Sequence, residues 1–117
     1  EMTLTDALNI LKGNKDAALA YEMYAYHIKK YIGTFTAVLN GIDALVFTAG
    51  VGENDSLTRQ LATQQLEYLG IHLDQEKNKA GGKGIYEINA NASPAKILVV
   101  PTNEELEIAR QCYTLLF

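Results

Sequence analysis

The sequence predicts a single α/β domain over residues 1–117, in which a mixed β-sheet is flanked by helices. Two apolar runs rich in branched residues, at 42–48 and 96–100, are each followed by a helix signal, which is typical of strands in an α/β sheet. The strands predicted between them lack intervening helices, so some antiparallel pairing is expected and the sheet is mixed. The predicted order is α-α-β-α-β-β-β-α.

Two helices precede the first predicted strand. A short helix begins at Thr3, and a long helix begins at Asn14 or Asp16, since these residue types cap helix starts. The long helix ends near Gly41, because asparagine followed by glycine is a common helix stop. Apolar residues recur within it at spacings of three or four, which predicts one buried face. That face comprises Tyr24, Ile28, Tyr31, Phe35 and Val38, widened by Ile32 and Leu39.

The middle of the chain is expected to alternate strands, a helix and turns. The strand at 42–48 is predicted to be buried on both faces because its residues are almost all apolar. A helix then begins at Asn54, Asp55 or Ser56 and stops at Gly70. After it come, in order, a short strand (71–73), a polar turn region (74–84) that ends in a glycine-rich hairpin turn (81–84), and another strand (85–88).

The last strand and helix are also defined by simple signals. Residues 96–100 predict a second fully buried strand, which Pro101 closes. The final helix begins at Thr102, because Thr102 and Glu105 have the spacing of a capping box. Its predicted apolar face comprises Leu106, Ile108, Ala109, Cys112, Tyr113 and Leu116.

Composition narrows the class of protein. Lys and Arg total 10 against 14 Asp and Glu, and this net charge of −4 does not favour a nucleic-acid or anionic-membrane partner. The sequence shows neither an apolar run long enough to span a membrane nor a signal-peptide pattern. A single cysteine, Cys112, fits a reducing compartment, so a cytoplasmic protein is expected. A start at Glu1 is expected of a piece of a longer protein or of a processed chain.

The first candidate binding site follows the strand at 42–48. It comprises Gly50, Val51, Gly52, Glu53 and Asn54. In open α/β sheets, ligands bind beyond the carboxyl ends of strands, beside the first turn of the next helix. Glycine lets a nucleotide approach the main chain, and the N–H groups of a helix start favour anions. A Gly-x-Gly pair alone favours a plain turn.

Two familiar nucleotide motifs do not fit the glycines. A dinucleotide-binding fingerprint requires a third glycine where this chain has Asp55. Asp74 lies at the distance of a ribose-binding acid, but its place in a turn region favours a cap. A phosphate-binding P-loop is excluded because Lys83 is followed by Gly84 rather than by Ser or Thr.

The second candidate site follows the strand at 96–100. Capping explains Thr102 and Glu105 without any function, and acids in a first helical turn complement the helix dipole. Glu104 is left without such an explanation. A carboxylate at the carboxyl end of a strand can hold Mg²⁺ directly or through water, so Glu104 is a candidate metal ligand.

Four segments in this order resemble the C-terminal portion of the acetate kinase family: YAYHIKKYIG (24–33), DALVFTAGVGEN (43–54), LGIHLD (69–74) and VVPTNEELEIAR (99–110). The resemblance implies an actin-like, ribonuclease-H-like fold with two domains around a nucleotide cleft. It implies transfer of the γ-phosphoryl group of ATP to acetate, giving acetyl phosphate and ADP, with Mg²⁺. It also implies a homodimer joined through this half, with exposed tyrosines of the long helix as candidate contacts.

The resemblance implies specific roles for the two candidate sites. Residues 50–54 match the family's stretch around the adenosine and adjacent phosphate of ATP or ADP, and Glu104 matches the acid associated with Mg²⁺. The family's catalytic Asp, Arg and His match no residue of this sequence, so no catalytic residue is expected and the isolated chain is predicted to be inactive. The alternative is a non-catalytic, actin-like binding or dimerisation module from a truncated or split gene.

Overall fold

The computed structural model describes residues 13–117, so the helix predicted at Thr3 lies outside the described part of the chain. The elements, in order, are α1 (Lys15–Val38), β1 (Ala44–Thr48), α2 (Ala49–Asn54), α3 (Ser56–Thr63), a 3₁₀ turn (Glu67–Leu69), α4 (Gln75–Ala80), β2 (Tyr86–Glu87), β3 (Lys96–Val100) and α5 (Glu104–Leu116). In this range, no helix is both long and apolar enough to cross a membrane.

The described strands form a mixed sheet, as predicted, and their order is β1-β3-β2. β1 and β3 are parallel, with Ala44 opposite Lys96 and Thr48 opposite Val100. β2 runs antiparallel to β3. The hydroxyl of Thr48 donates to the carbonyl oxygen of Val100 at 2.7 Å, which joins the carboxyl ends of the two parallel strands. Both predicted binding segments therefore start at the same edge of the sheet.

Burial is uneven across the sheet. In the central strand β3, Ile97 and Val99 are fully buried and the opposite face is half-buried. β1 buries only Phe47, and Val46 is exposed, so the prediction that residues 42–48 are buried on both faces is wrong. The reason is the position of β1 at the edge of the described sheet, with one face uncovered. The buried core comprises Ile32, Phe47, Leu66, Ile71, Ile88, Ala95, Ile97 and Val99.

Helix α1 begins and ends where the sequence predicts, but of the predicted apolar face only Ile32 is buried, with Ile28 packed against the core. The Asn14 side chain accepts from the amide of Ala17 at 3.1 Å, and Gly41 follows the helix with φ 110°. The predicted aromatic stripe is exposed, and Tyr31 and Phe35 stack on each other with ring centroids 6.3 Å apart. The buried residues are Ala18, Ala25, Ile32 and Thr36. Small side chains let α1 approach its neighbours closely, and the aromatic residues lie about 100° around the helix from them.

The segment after α3 departs from the prediction in three places. The helix predicted to reach Gly70 ends at Thr63, and Gln65 has φ 61° before the 3₁₀ turn. Residues 71–73 contribute only one bridge, from Leu73 to Asn89. The polar region contains helix α4, because Asp74 caps it by accepting from the amide of Lys77 at 3.0 Å. The glycine-rich residues 81–84 connect α4 to β2 and are not a hairpin turn.

Helix α5 begins at Glu104, after Asn103 in the left-handed conformation (φ 51°), and has no side-chain cap. The predicted capping box of Thr102 and Glu105 is therefore wrong. No residue of helix α5 is buried, so the apolar face predicted for the final helix is exposed in this chain.

Candidate functional site

The two segments singled out from the sequence meet at one cavity. Its volume is about 290 Å³. It is lined by Gly50, Glu53, Asn54, Thr102, Asn103, Glu104 and Glu105. The parallel pairing of β1 with β3 places the starts of α2 and α5 side by side, although roughly fifty residues separate them in sequence. The structure thus brings Glu104 together with the glycine segment, which is necessary if both are to contact one ligand.

The glycine segment is a short helix rather than an open turn. Residues 50–54 form helix α2 with Ala49, whose φ of 61° lies in the left-handed region. Asn103 has the same unusual conformation at the start of α5. Such conformations cost about 1–3 kcal/mol for residues other than glycine and occur preferentially at functional sites. The junction at Ala49 therefore contains backbone strain, whereas asparagine adopts this conformation at little cost.

The two glycines of α2 differ in their surroundings. A methyl group added at Gly50 would meet no atom within 4 Å outside its own helix. At Gly52 it would lie 3.2 Å from the carbonyl carbon of Phe47. Gly52 is therefore explained by close packing of α2 on β1, whereas Gly50 leaves bare main chain at the cavity. Val51 does not line this cavity and instead faces a second cavity beside α1.

Acidic and amide groups dominate the cavity. A carboxylate oxygen of Glu53 accepts long hydrogen bonds, both 3.4 Å, from the amide and the hydroxyl of Thr102, which connect α2 with the segment before α5. The side-chain amide nitrogen of Asn54 donates to the carbonyl oxygen of Gly50 at 2.9 Å. Glu104 lies in the exposed first turn of α5.

The residues present fit a magnesium ion that is bound mainly by water and by substrate phosphates. Within residues 13–117, no group of three or more His, Cys, Asp or Glu side chains could hold a metal ion together. Mg²⁺ does not require such a group, because it usually keeps several waters and binds one or two carboxylates plus substrate phosphates. The cavity therefore fits an ion brought by a nucleotide and contacted by one carboxylate such as Glu104.

The sequence analysis did not identify Arg59, whose side chain hydrogen-bonds to the backbone of α2. Its guanidinium is buried and donates to the carbonyl oxygens of Gly52 (2.8 Å) and Glu53 (3.1 Å). Burial lowers the pKa of Arg59, and the neighbouring Tyr86 and Asp55 oppose this shift. Arg59 lies three residues before the buried Ala62 and so on the inward face of α3, but the apolar pattern of the sequence does not identify that face.

A second missed group connects α1 with α3. The hydroxyl of Tyr21 donates to a carboxylate oxygen of Asp55 at 2.7 Å, and the amide and hydroxyl of Thr58 donate to Asp55 at 3.1 and 2.9 Å. Burial opposes ionisation of Asp55, but these hydrogen bonds outweigh it and hold its pKa below the usual range. The hydrogen bond between Tyr21 and Asp55 is also the main cause of the raised pKa of Tyr21. Asp55 is thus the N-cap of α3, one of the three caps predicted.

Comparison with known proteins identifies the fold and the family. The profile of the acetokinase family matches residues 3–110. The acetate kinases of Heliobacterium modesticaldum and Flavobacterium johnsoniae are 54% and 55% identical over 105 residues, which is 90% of this chain but 26% and 27% of theirs. The crystal structure of Porphyromonas gingivalis acetate kinase superposes with a TM-score of 0.77 at 41% identity, covering 97% of this chain and 28% of that one.

A propionate kinase from Francisella tularensis is also similar, with a TM-score of 0.71 and 36% identity over 88% of this chain and 26% of that one. The mixed sheet with flanking helices is the actin-like ATPase fold, so the predicted fold class is confirmed. The chain belongs to the acetokinase family, as the sequence resemblance implied. It spans about a quarter of the length of the curated relatives that it matches.

Proposed function

We propose that this chain is the C-terminal, nucleotide-binding portion of a two-domain acetate kinase. That enzyme would transfer the γ-phosphoryl group of ATP to a carboxylate oxygen of acetate, giving acetyl phosphate and ADP. The observation that carries the proposal is the cavity between the starts of α2 and α5, which places Gly50 opposite Glu104 in a chain of this family. A cytoplasmic location is part of the same proposal.

The cavity residues support a division of roles. Bare main chain at Gly50 admits a nucleoside close to α2, and the polar side chains of Glu53 and Asn54 border the same space. Glu104 is the proposed metal-side carboxylate. When bound, Mg²⁺ would neutralise phosphate charge during phosphoryl transfer. Val51 and Gly52 support the site from within α2, since neither borders the cavity itself.

The isolated chain is proposed to be catalytically inactive. Phosphoryl transfer depends on positioning and on neutralising the charge of the transferring group. The described residues that line the cavity include no arginine, lysine or histidine, and Arg59 is directed at main-chain oxygens instead. Acetyl phosphate formation, trapped as the hydroxamate, should equal the blank. A rate above the blank would contradict this part of the proposal.

Dimerisation through this half of the enzyme is also part of the proposal. Helix α1 exposes Tyr24, Tyr31, Phe35 and Val38 along one side, and a stripe of this length is unusual on a monomer surface. Sedimentation of the full-length enzyme with Tyr31→Glu against the unaltered protein tests it. A shift towards monomer is expected, and an unchanged dimer would exclude this face.

Titration of Mg·ATP into the 117-residue chain, followed by backbone amide resonances, tests nucleotide binding. Shifts should centre on Gly50, Gly52 and Asn54 and saturate. Magnesium triphosphate is the matched control, because it carries the phosphates and the metal without the nucleoside, and it should leave Gly50 nearly unchanged. A spectrum unchanged at millimolar Mg·ATP would overturn the proposal and favour the alternative, a non-catalytic binding or dimerisation module.

A further inference from the structure

We propose that Arg59 and Asn78 form a positioning pair that fixes the backbone of α2 for nucleotide binding. The inference rests on the proposed function, and it adds two residues from α3 and α4 that do not border the cavity. Arg59 contacts main-chain oxygens of the nucleotide-binding segment, and Asn78 acts by holding the side chain of Arg59.

The donors of Arg59 are directed at oxygens on two elements. One terminal nitrogen, Nη1, donates to the carbonyl oxygens of Gly52 at 2.8 Å and Glu53 at 3.1 Å. Nε donates to the side-chain oxygen of Asn78 at 2.7 Å, and Nη2 donates to its carbonyl oxygen at 3.2 Å. The guanidinium therefore joins α2 to α4 across α3.

Asn78 completes the arrangement. Its side-chain nitrogen donates to the carbonyl oxygen of Ser56 at 2.9 Å, while its side-chain oxygen accepts from Arg59. Only 1% of Asn78 and 3% of Arg59 are exposed, so neither group is satisfied by bulk water. An amide oxygen and an amide nitrogen are both needed here, which is why a carboxylate or an apolar residue would not replace Asn78.

The burial of this cation needs a reason. The ion pair found among residues 13–117 is Lys96 with Glu87, so within that range Arg59 has no carboxylate partner and its charge is balanced by carbonyl and amide oxygens. Burying an ion is costly, and such groups are retained where they specify a geometry. Here the geometry is that of a six-residue helix, which leaves its last carbonyl groups without intrahelical partners.

The path from the pair to the cavity is short. Arg59 fixes the carbonyl groups of Gly52 and Glu53, and the side chain of Glu53 reaches Thr102 on the opposite side of the cavity. Loss of the guanidinium contacts should therefore let α2 open without unfolding the sheet. Amide hydrogen exchange separates these two events, because local opening and global unfolding expose different amides.

The test compares two amides in the 117-residue chain. The Asp55 amide donates to the carbonyl oxygen of Val51 at 3.0 Å and reports on α2. The Ile97 amide donates to the side chain of Asn89 at 2.9 Å and reports on the core. In Arg59→Lys, exchange at Asp55 should accelerate about tenfold or more, since hydrogen bonds to a charged group are each worth about that factor. Exchange at Ile97 should change far less.

Arg110→Lys, a change of the same kind on the exposed helix α5, is the matched control and should alter neither amide. Equal acceleration at both amides, or none at Asp55, would overturn the proposal. Should Arg59→Lys fail to fold, Asn78→Ser is measured in the same way. It removes the contact with Nε while keeping the charge, and its expected and contradicting results are the same.

Nucleotide titration then separates this inference from the proposed function. Where the unaltered chain binds Mg·ATP, Arg59→Lys should bind it about tenfold or more weakly, and equal affinity would refute a positioning role. Where the unaltered chain does not bind, the proposed function fails, yet faster exchange at Asp55 would still show that Arg59 orders α2.

Discussion

Substitution of Gly50 by alanine should raise stability and lower nucleotide affinity at the same time. Gly50 lies in helix α2, and a methyl group there meets no atom within 4 Å outside the helix. Alanine is favoured over glycine in a helix interior by up to about 1 kcal/mol, and about half of that is expected near the start of a short helix. For a domain of this size the melting temperature should rise by about 2–4 °C.

The opposite effect on binding follows from the same open space. The methyl group of Gly50→Ala enters open space at a residue that lines the cavity, so a nucleoside that packs on the bare backbone should be displaced. Overpacking of a well-fitted site costs about 1–3 kcal/mol, which is about a fivefold to hundredfold loss of Mg·ATP affinity in a titration followed by amide resonances. Unchanged affinity in the stabilised variant would refute the assignment of Gly50 to the nucleotide site.

Gly52→Ala is the matched comparison, because its methyl group would lie 3.2 Å from the carbonyl carbon of Phe47. We expect it to lower stability by about 1 kcal/mol, since α2 must move away from β1. Thermal melts of the two variants should therefore shift in opposite directions. Shifts of the same sign would contradict the different explanations given for the two glycines.

Three further predictions concern single groups. Tyr21→Phe should cost about 0.5–1 kcal/mol at neutral pH, after allowance for solvent access, and less in acid. The folded-state pKa of Asp55 lies below its unfolded value of about 4, so ionised Asp55 stabilises the fold above that pH, and this stabilisation is lost as the pH falls through the folded-state pKa. A cost of Tyr21→Phe that does not change with pH in urea unfolding would contradict this. Glu104→Gln should weaken Mg·ATP binding but not ATP binding in EDTA, with Glu105→Gln as the control, and equal effects would exclude a specific metal contact at Glu104. Ile97→Ala, at a fully buried position, should cost about 2–5 kcal/mol in the same unfolding assay, and a cost below about 1 kcal/mol would contradict its place in the core.

Local signals predicted the elements that capping and short-range periodicity determine. The Asn14 cap, the end of α1 before Gly41 and the bounds of β3 all agree with the structure. Of the buried face of α1, only Ile32 was predicted, because alanines and a threonine also pack inward while the aromatic residues remain exposed. Periodicity identifies an apolar side of a helix, but the neighbouring elements decide which side is covered.

The candidate site shows the same division between local and long-range information. That Gly50 and Glu104 follow strand ends can be read from the sequence, and the parallel pairing that unites them follows from the fold class. The contacts of Arg59 with Gly52 and Asn78 could not be predicted. Those contacts depend on how α2, α3 and α4 pack against one another. In addition, the sequence predicts a turn region where residues 75–80 form helix α4.

The two sides of the cavity are held with different firmness, and this difference should divide the proposed nucleotide affinity unequally between them. The α2 side is fixed by the buried guanidinium of Arg59 and by packing of Gly52 on Phe47. The α5 side carries Glu104 on a helix with no buried residue, and the long contacts of Thr102 with Glu53 connect the segment before that helix with α2. A preorganised group contributes more affinity than one that must be ordered on binding, because the ordering cost is subtracted. The nucleoside contact at Gly50 should therefore supply most of the affinity of the isolated chain, and the metal contact at Glu104 should strengthen once α5 is covered in the full-length enzyme.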